Sequence, residues 1–138
     1  MRIYLASRYG RRAEMQSVRL RLITAGHKVI SRWLTEDHTI PAARLVEYSD
    51  LEVPPEAQSF AIKDVEDVRA CDTLVLFSEP ANGGSPQRGG CHVEFGLAFG
   101  LKKRLVVVGY RQNVFHMLPE VYFARNTSHL IEVLSAMP

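Results

Sequence analysis

Short apolar runs alternate along the chain with segments whose apolar positions recur at helical spacing. A continuous apolar run of a few residues is typical of a buried strand, whereas a spacing of three or four is typical of one helix face. The runs predict strands at Arg2–Ala6, His27–Trp33, Asp72–Phe77, Arg104–Gly109 and Val121–Phe123. The periodic segments predict helices at Arg11–Ala25, Phe60–Cys71, Val93–Leu101 and Ser128–Met137, the last with Ser128 as its N-cap.

The alternation of strands with helices determines the predicted fold class. Strands joined through helices make right-handed crossovers, which give a parallel sheet covered on both faces. The run Leu105–Val108 is apolar at every position, as a central parallel strand should be. We therefore predict a flavodoxin-like or Rossmann-like three-layer α/β sandwich. Its central, mostly parallel sheet has four or five strands, and one domain spans residues 1–138.

The segment Thr35–Ser59 lacks this regularity. It contains three prolines and several acidic residues, together with His38. We predict a long loop with one short helix at Pro41–Tyr48. Loops of this length in compact domains are often functional lids, and a tolerated surface insertion is the alternative.

Composition and charge narrow the class of partner. The chain has 138 residues, 46% of them hydrophobic, and a net charge of +2. Such a modest charge does not favour binding to a nucleic-acid polymer, and a compact phosphate-bearing ligand fits it better. No apolar run approaches the roughly 20 residues that a membrane span needs, so we expect no membrane contact and a cytoplasmic location.

The two cysteines, Cys71 and Cys91, are not spaced like metal ligands. We expect Cys71 to lie in the core. Cys91 lies in a glycine-rich loop, where a packing role and a reactive thiol are both open. The sequence therefore predicts no metal site and no organic cofactor.

The stretch Arg88–Gly96, which reads RGGCHVEFG, lies between a predicted strand and a predicted helix. Its glycines allow a ligand to approach the backbone closely, and the N-terminus of the helix favours an anion. We place Glu94 in the first helical turn, where the helix dipole should keep its carboxylate ionised. A carboxylate beside an anion-binding loop is what an enzyme needs to attack the sugar carbon of a nucleotide.

Three segments follow predicted strands and should meet at the carboxyl edge of the sheet, where ligands bind in open α/β sheets. They are Ser7–Gly10, Glu79–Gly90 and Gly109–Asn113. The sequence thus predicts a single site at this edge.

Three stretches give the chain a resemblance to the nucleoside 2-deoxyribosyltransferase family, which includes the 2'-deoxynucleoside 5'-monophosphate N-glycosidases. They are Ile3–Arg8, Asp64–Phe77 and the stretch Gly89–Gly96 continued by Lys102–Gly109. The resemblance covers roughly residues 2–110. It implies an enzyme acting on a nucleoside or nucleotide as a homodimer or higher homo-oligomer, with a residue of the partner subunit entering the site.

The resemblance also implies roles for individual residues. Glu94 matches the nucleophile that attacks the anomeric carbon and forms a glycosyl-enzyme intermediate. Asp64 matches an aspartate that helps to protonate the leaving base, and must be partly buried to hold its proton. Tyr4 matches a tyrosine that holds the nucleophile's carboxylate. Ser7 and Arg8 lie where the monophosphate glycosidases grip their substrate.

The loop before the nucleophile departs from the family pattern. Arg88 stands where the transferases carry an acidic residue, which favours an anionic substrate and hence a nucleotide. We add Gly89, Gly90 and His92 to the predicted substrate-binding residues. Asn113 completes the set as a possible ligand contact, with turn formation as its alternative role.

The sequence therefore predicts cleavage or transfer at the N-glycosidic bond of a (deoxy)nucleoside or its 5'-monophosphate through a glutamate nucleophile, with hydrolysis slightly favoured. Two alternatives remain open. One is a cytokinin-activating type of nucleoside monophosphate phosphoribohydrolase, although the usual Pro-Gly-Gly-x-Gly-Thr loop does not match RGGCHV. The other is a non-catalytic nucleotide-binding module.

Overall fold

The computed structural model describes residues 1–40, 55–80 and 89–138. Within them, five strands form one parallel sheet in the order β2-β1-β3-β4-β5. The strands are β1 (Arg2–Ala6), β2 (Lys28–Val29), β3 (Thr73–Phe77), β4 (Arg104–Val108) and β5 (Val121–Ala124). This arrangement confirms the predicted parallel α/β sheet.

The helices in the described residues are α1 (Arg12–Thr24), α2 (Pro55–Ala70), α3 (Gly90–Gly100) and α4 (Thr127–Ala136). Single 3-10 turns occur at Tyr9–Arg11, Arg32–Leu34 and Val114–Met117. Helices α2 and α3 pack on each other and on β1. On the opposite face, Arg21 of α1 donates a hydrogen bond to Ser128 of α4 at 3.0 Å. Three layers result, as predicted.

The core lies on both sides of the central strands. Every residue of β3 is buried, and β4 is buried after its first residue. Apolar side chains of β1, β3 and β4 are enclosed by the apolar faces of the helices. A parallel sheet covered on both faces requires this continuous apolar pattern.

Strand β2 is much shorter than predicted, and the strand expected over His27–Trp33 is wrong beyond Val29. The chain leaves the sheet after Val29 because side chains accept backbone N–H groups there. Asp67 accepts the backbone N–H of Arg32 at 2.8 Å, and Ser31 accepts the backbone N–H of Leu5 at 2.7 Å. The following residues then form a 3-10 turn.

The predicted starts of α2, α3 and α4 are also wrong, and α3 begins at Gly90 instead of Val93. Helix α2 begins at Pro55, so residues 55–59 are helical where a loop was expected. Proline suits the first helical position because its missing N–H has no partner there in any helix. Helix α4 begins at Thr127, and its N-cap is Asn126, whose side chain accepts the backbone N–H of His129 at 3.0 Å. The predicted short helix Pro41–Tyr48 lies outside the described residues.

Candidate active site

The tyrosine of β1 contacts the glutamate of α3. Tyr4 is completely buried, and its hydroxyl donates a hydrogen bond to Oε1 of Glu94 at 2.9 Å. Side chains alternate between the two faces of a strand, and Tyr4 points to the face where α2 and α3 pack. The contact that the resemblance implies between these residues is therefore present.

The start of α3 explains how Glu94 reaches this position. Gly89 is the N-cap, with a left-handed φ of 77° that glycine adopts without strain. Its carbonyl accepts the backbone N–H of His92 at 3.0 Å. Helix α3 starts at Gly90, so Glu94 is its fifth residue and no acidic residue lies in the first turn. The first-turn placement predicted for Glu94 is thus wrong.

The expectation that the helix dipole keeps Glu94 ionised is also wrong. Burial raises the pKa of Glu94 to about 8, and repulsion from Asp64 adds to the rise, while the Tyr4 hydrogen bond opposes it. A carboxylate in the second turn receives little help from the helix dipole, which acts mainly in the first turn. Burial and the negative charge of Glu94 also raise the pKa of Tyr4 well above its usual value.

Asp64 of α2 is the second acidic group of the site. Its side chain is 24% exposed. Burial raises the pKa of Asp64, while His38 and the hydroxyl of Tyr4 lower it. The predicted partial burial is therefore present. The negative charge of Asp64 in turn disfavours ionisation of Glu94.

His38 was not predicted as a site residue, yet it lies beside Asp64. Its Nδ1 is 3.9 Å from Oδ1 of Asp64, and its Nε2 is 3.2 Å from Oε2 of Glu36. The ring stacks on Phe60, with centroids 4.4 Å apart and planes inclined by 12°. No periodicity marks His38, because it lies in an irregular segment that packs only in the folded chain.

Arginines and a glutamate meet at the carboxyl edge. The guanidinium of Arg8 lies over Gly10, where an added Cβ would be 2.5 Å from Nη1. Nε of Arg8 is 3.6 Å from Oε1 of Glu79, and Arg11 donates to the same oxygen at 3.2 Å. The Ser7 hydroxyl donates to the carbonyl of Arg8 at 3.0 Å. Arg11 also binds Glu14 at 2.7 Å, so two arginines and two carboxylates offset each other in this cluster.

The remaining predicted binding residues lie around α3 and the turn after β4. His92 has a buried Nδ1 without a partner in the described residues, and burial lowers its pKa. Its ring centroid is 5.7 Å from that of the buried His116. The side chain of Asn113 accepts the backbone N–H of Phe115 at 3.0 Å and so caps the 3-10 turn. Its alternative role, turn formation, is thus present. Arg88 lies outside the described residues.

Cys91 packs against the hydrophobic core. Burial raises the pKa of its thiol to about 11. A thiol with this pKa is protonated at neutral pH and is a poor nucleophile. The structure therefore favours the packing role over the reactive thiol.

The part of the chain that is described contains no group of three or more His, Cys, Asp or Glu side chains arranged to hold a metal ion. None of its helices is long and apolar enough to cross a membrane. The cytoplasmic location stays a prediction.

Comparison with known proteins places the fold among enzymes of nucleoside and nucleotide chemistry. No family model matches the sequence, and no curated protein matches it. The structure is similar to that of the CMP N-glycosidase BcmB of Clostridium botulinum, with 17% identity, a TM-score of 0.57 and coverage of 99% of this chain and 100% of that chain. It is also similar to a 2-deoxyribosyltransferase of Bacillus psychrosaccharolyticus, with 16% identity, a TM-score of 0.62 and coverage of 95% and 90%. These likenesses confirm the resemblance at the level of the fold.

Proposed function

We propose that this protein cleaves the N-glycosidic bond of a (deoxy)nucleoside or its 5'-monophosphate, with Glu94 as the nucleophile. One observation carries the proposal. The Glu94 carboxylate is held by the buried Tyr4 hydroxyl at 2.9 Å, and Asp64 lies close enough to raise its pKa. The fold shared with an N-glycosidase and a 2-deoxyribosyltransferase supports the same chemistry.

Glycosidic cleavage passes through a transition state in which the sugar carries positive charge. A carboxylate beside the anomeric carbon stabilises this charge and can form a covalent bond to the carbon. We assign this step to Glu94, because the hydrogen bond from Tyr4 fixes one oxygen, and the other accepts no hydrogen bond from the described residues.

The departing base needs a proton, and general acid catalysis of this kind contributes about 10²–10⁴-fold. We assign Asp64 as the acid. Burial raises the pKa of both carboxyls, that of Glu94 to about 8. The productive form has Glu94 ionised and Asp64 protonated, and the positive charge that develops on the sugar favours this form.

The Arg8 guanidinium at the carboxyl edge, whose buried Nε has no hydrogen-bond partner among the described residues, supports a monophosphate substrate. We propose that Arg8 and the backbone N–H groups of Gly89 and Gly90 bind the 5'-phosphate, with Ser7, Arg88, His92 and Asn113 as further contacts. A planar guanidinium suits a phosphate group, and a helix N-terminus favours an anion. We therefore favour hydrolysis of a nucleotide over base transfer between nucleosides.

The expected homodimer or higher homo-oligomer stays a prediction. Several apolar side chains of α3 and of the turn after β4 are exposed, including Val93, Val114 and Phe115. Light scattering coupled to gel filtration measures the molecular mass in solution.

The proposal is tested by incubating the protein with nucleosides and their 5'-monophosphates, in both ribose and 2-deoxyribose forms, and measuring free base. We expect base release from the deoxy series, faster for monophosphates than for nucleosides. Release from ribonucleotides alone would favour the phosphoribohydrolase alternative, and binding without release would favour the non-catalytic module. Adding a second free base to the same reactions separates transfer from hydrolysis.

A further inference from the structure

The imidazole of His38 is held rigidly beside the candidate acid. Only 4% of its side chain is exposed. Phe60 stacks on one face of the ring, and Glu36 binds Nε2 at 3.2 Å. A ring fixed on one face and at one nitrogen presents its other nitrogen, Nδ1, in a defined direction.

The partner at Nε2 determines which nitrogen carries the proton in the neutral ring. The Glu36 carboxylate also accepts a hydrogen bond from Lys63. That bond, followed by the one with His38, lowers the pKa of Glu36. An ionised carboxylate can only accept hydrogen bonds, so Nε2 must donate to it. In the neutral imidazole, Nδ1 is then an acceptor without a proton.

Nδ1 faces Oδ1 of Asp64 at 3.9 Å. Both atoms are buried, and neither has a hydrogen-bond partner among the described residues. Buried polar atoms are nearly always paired, because an unpaired buried donor or acceptor loses its hydrogen bonds to water without replacement. An unprotonated Nδ1 and an ionised carboxylate cannot bond to each other. One proton between them makes a bond possible, whichever atom holds it.

We propose that His38 is the positioning residue of the leaving-group acid, sharing one proton between its Nδ1 and Oδ1 of Asp64. This inference rests on the proposed function. The pair enters the reaction with the proton that the departing base requires. The two atoms are 3.9 Å apart, so a small rotation of either side chain brings them within hydrogen-bond distance.

The proton balance of hydrolysis is then complete without a further reactant. Glu94 forms a bond to C1', and the base leaves with the electron pair of the C1'–N bond. The base takes the one shared proton from Asp64, which then stays a carboxylate beside the unprotonated Nδ1 until the second step. When water attacks C1' of the glycosyl-enzyme, its proton returns to the Asp64–His38 pair and Glu94 leaves as a carboxylate.

Charged groups on three elements act on this pair. Glu36 and Lys63 act on His38 through Nε2. On the other side, the pKa of Asp64 is affected by Tyr4, Asp67 and Arg32. Arg32 is itself bound to Asp67 at 2.8 Å, so these two charges largely offset each other. His38 is the group that faces Oδ1 directly.

Two substrates with the same sugar phosphate show whether His38 helps to supply a proton or has only a structural role. The first is the natural nucleotide, and the second carries 4-nitrophenol, which leaves as a stable anion without needing a proton. The variant His38→Phe keeps an aromatic ring to stack on Phe60 but removes both nitrogens. The matched control is His27→Phe, which precedes β2 at the opposite edge of the sheet.

We expect the single-turnover rate of His38→Phe to fall about 10²-fold on the nucleotide, the lower end of what general acid catalysis contributes. KM and the rate of nitrophenolate release should change less than about threefold, because the departure of nitrophenolate needs no acid. His27→Phe should leave both rates unchanged. If His38→Phe does not fold, His38→Asn replaces it. Asparagine keeps a nitrogen in place of Nδ1 but cannot titrate, so this variant should also lose rate on the nucleotide and keep its rate on the nitrophenyl substrate.

An equal loss on both substrates would overturn the role of His38, while the proposed function would stand as long as Glu94→Gln abolishes both reactions. Failure of the unmodified protein to release base from any nucleotide would instead overturn the proposed function and this inference with it.

Discussion

The hydroxyl of Tyr4 lies 2.9 Å from Oε1 of Glu94, although 90 positions separate the two residues in the chain. The contact joins the first strand of the sheet to the helix that follows the glycine turn. It provides the only hydrogen bond to the Glu94 carboxylate among the described residues, so it sets both the orientation of the carboxylate and, in part, its pKa.

Tyr4→Phe removes this hydrogen bond while keeping the buried ring. A hydrogen bond to a charged group is worth about 1.5–3 kcal/mol, so kcat/KM should fall about 10–10²-fold. Since the bond lowers the pKa of Glu94, the rising limb of the pH–rate profile should move to higher pH. Tyr122→Phe, at a tyrosine that is 41% exposed on β5, is the control. An unmoved limb in Tyr4→Phe would contradict the assignment.

The raised pKa of Glu94 should also appear in the pH dependence of stability. Between the ordinary value of 4.5 and about 8, the folded protein holds a proton on Glu94 that the unfolded chain has released. The free energy of unfolding must therefore decrease as pH rises through this window. Glu94→Gln cannot ionise, so its gain in stability over the unmodified protein should be larger at pH 8 than at pH 5. Urea unfolding of both proteins at both pH values measures this gain. An equal gain at pH 5 and pH 8 would rule out a buried ionisable carboxyl at Glu94.

Adjacent glycines at the start of α3 provide a matched pair of variants. Gly89 has a φ of 77°, whereas the helical Gly90 has no positive φ, and an added Cβ meets nothing within 4 Å at either. Gly89→Ala should thus destabilise the protein by about 1–2 kcal/mol through backbone strain alone, and should lower activity by displacing Glu94. Gly90→Ala should be neutral or slightly stabilising. Thermal unfolding compares the two, and equal effects would contradict the role of the Gly89 turn.

Arg8 should distinguish monophosphates from nucleosides. Removing its charge with Arg8→Met should raise KM for a 5'-monophosphate about 10–10²-fold, the value of one charge-assisted hydrogen bond. KM for the matching nucleoside should change little, because that substrate has no phosphate to bind. Arg69→Met, at an exposed residue near the end of α2, is the control. An equal rise for both substrates would show that Arg8 does not contact the phosphate.

The sheet could be predicted from sequence because its strands are buried on both faces. In β3 and β4 nearly every position is buried, and an unbroken apolar run in the sequence indicates such burial. The end of β2 could not be predicted, since the carboxylate of Asp67 turns the chain there from a distant helix. Asp67 itself is buried.

In the candidate site, too, local sequence patterns predict some features, whereas distant residues determine others. Glu94 and Gly89 are close in sequence, so a loop-and-helix pattern could identify both. The ionisation of Glu94 could not be predicted, because it depends on burial and on Asp64 from another helix. His38 and Glu79 have partners far along the chain, and no local pattern marks either residue. Trp33 is buried, and its indole donates to the carbonyl of Leu5 at 2.8 Å.

The rate of base release by Glu94→Ala tests the central claim most directly. The matched control is Glu132→Ala, at an exposed residue of α4 on the opposite face of the sheet. With the preferred monophosphate as substrate, loss of the nucleophile should reduce release by about 10³-fold or more, while the control keeps the full rate. Undiminished release by a folded Glu94→Ala variant would contradict the account.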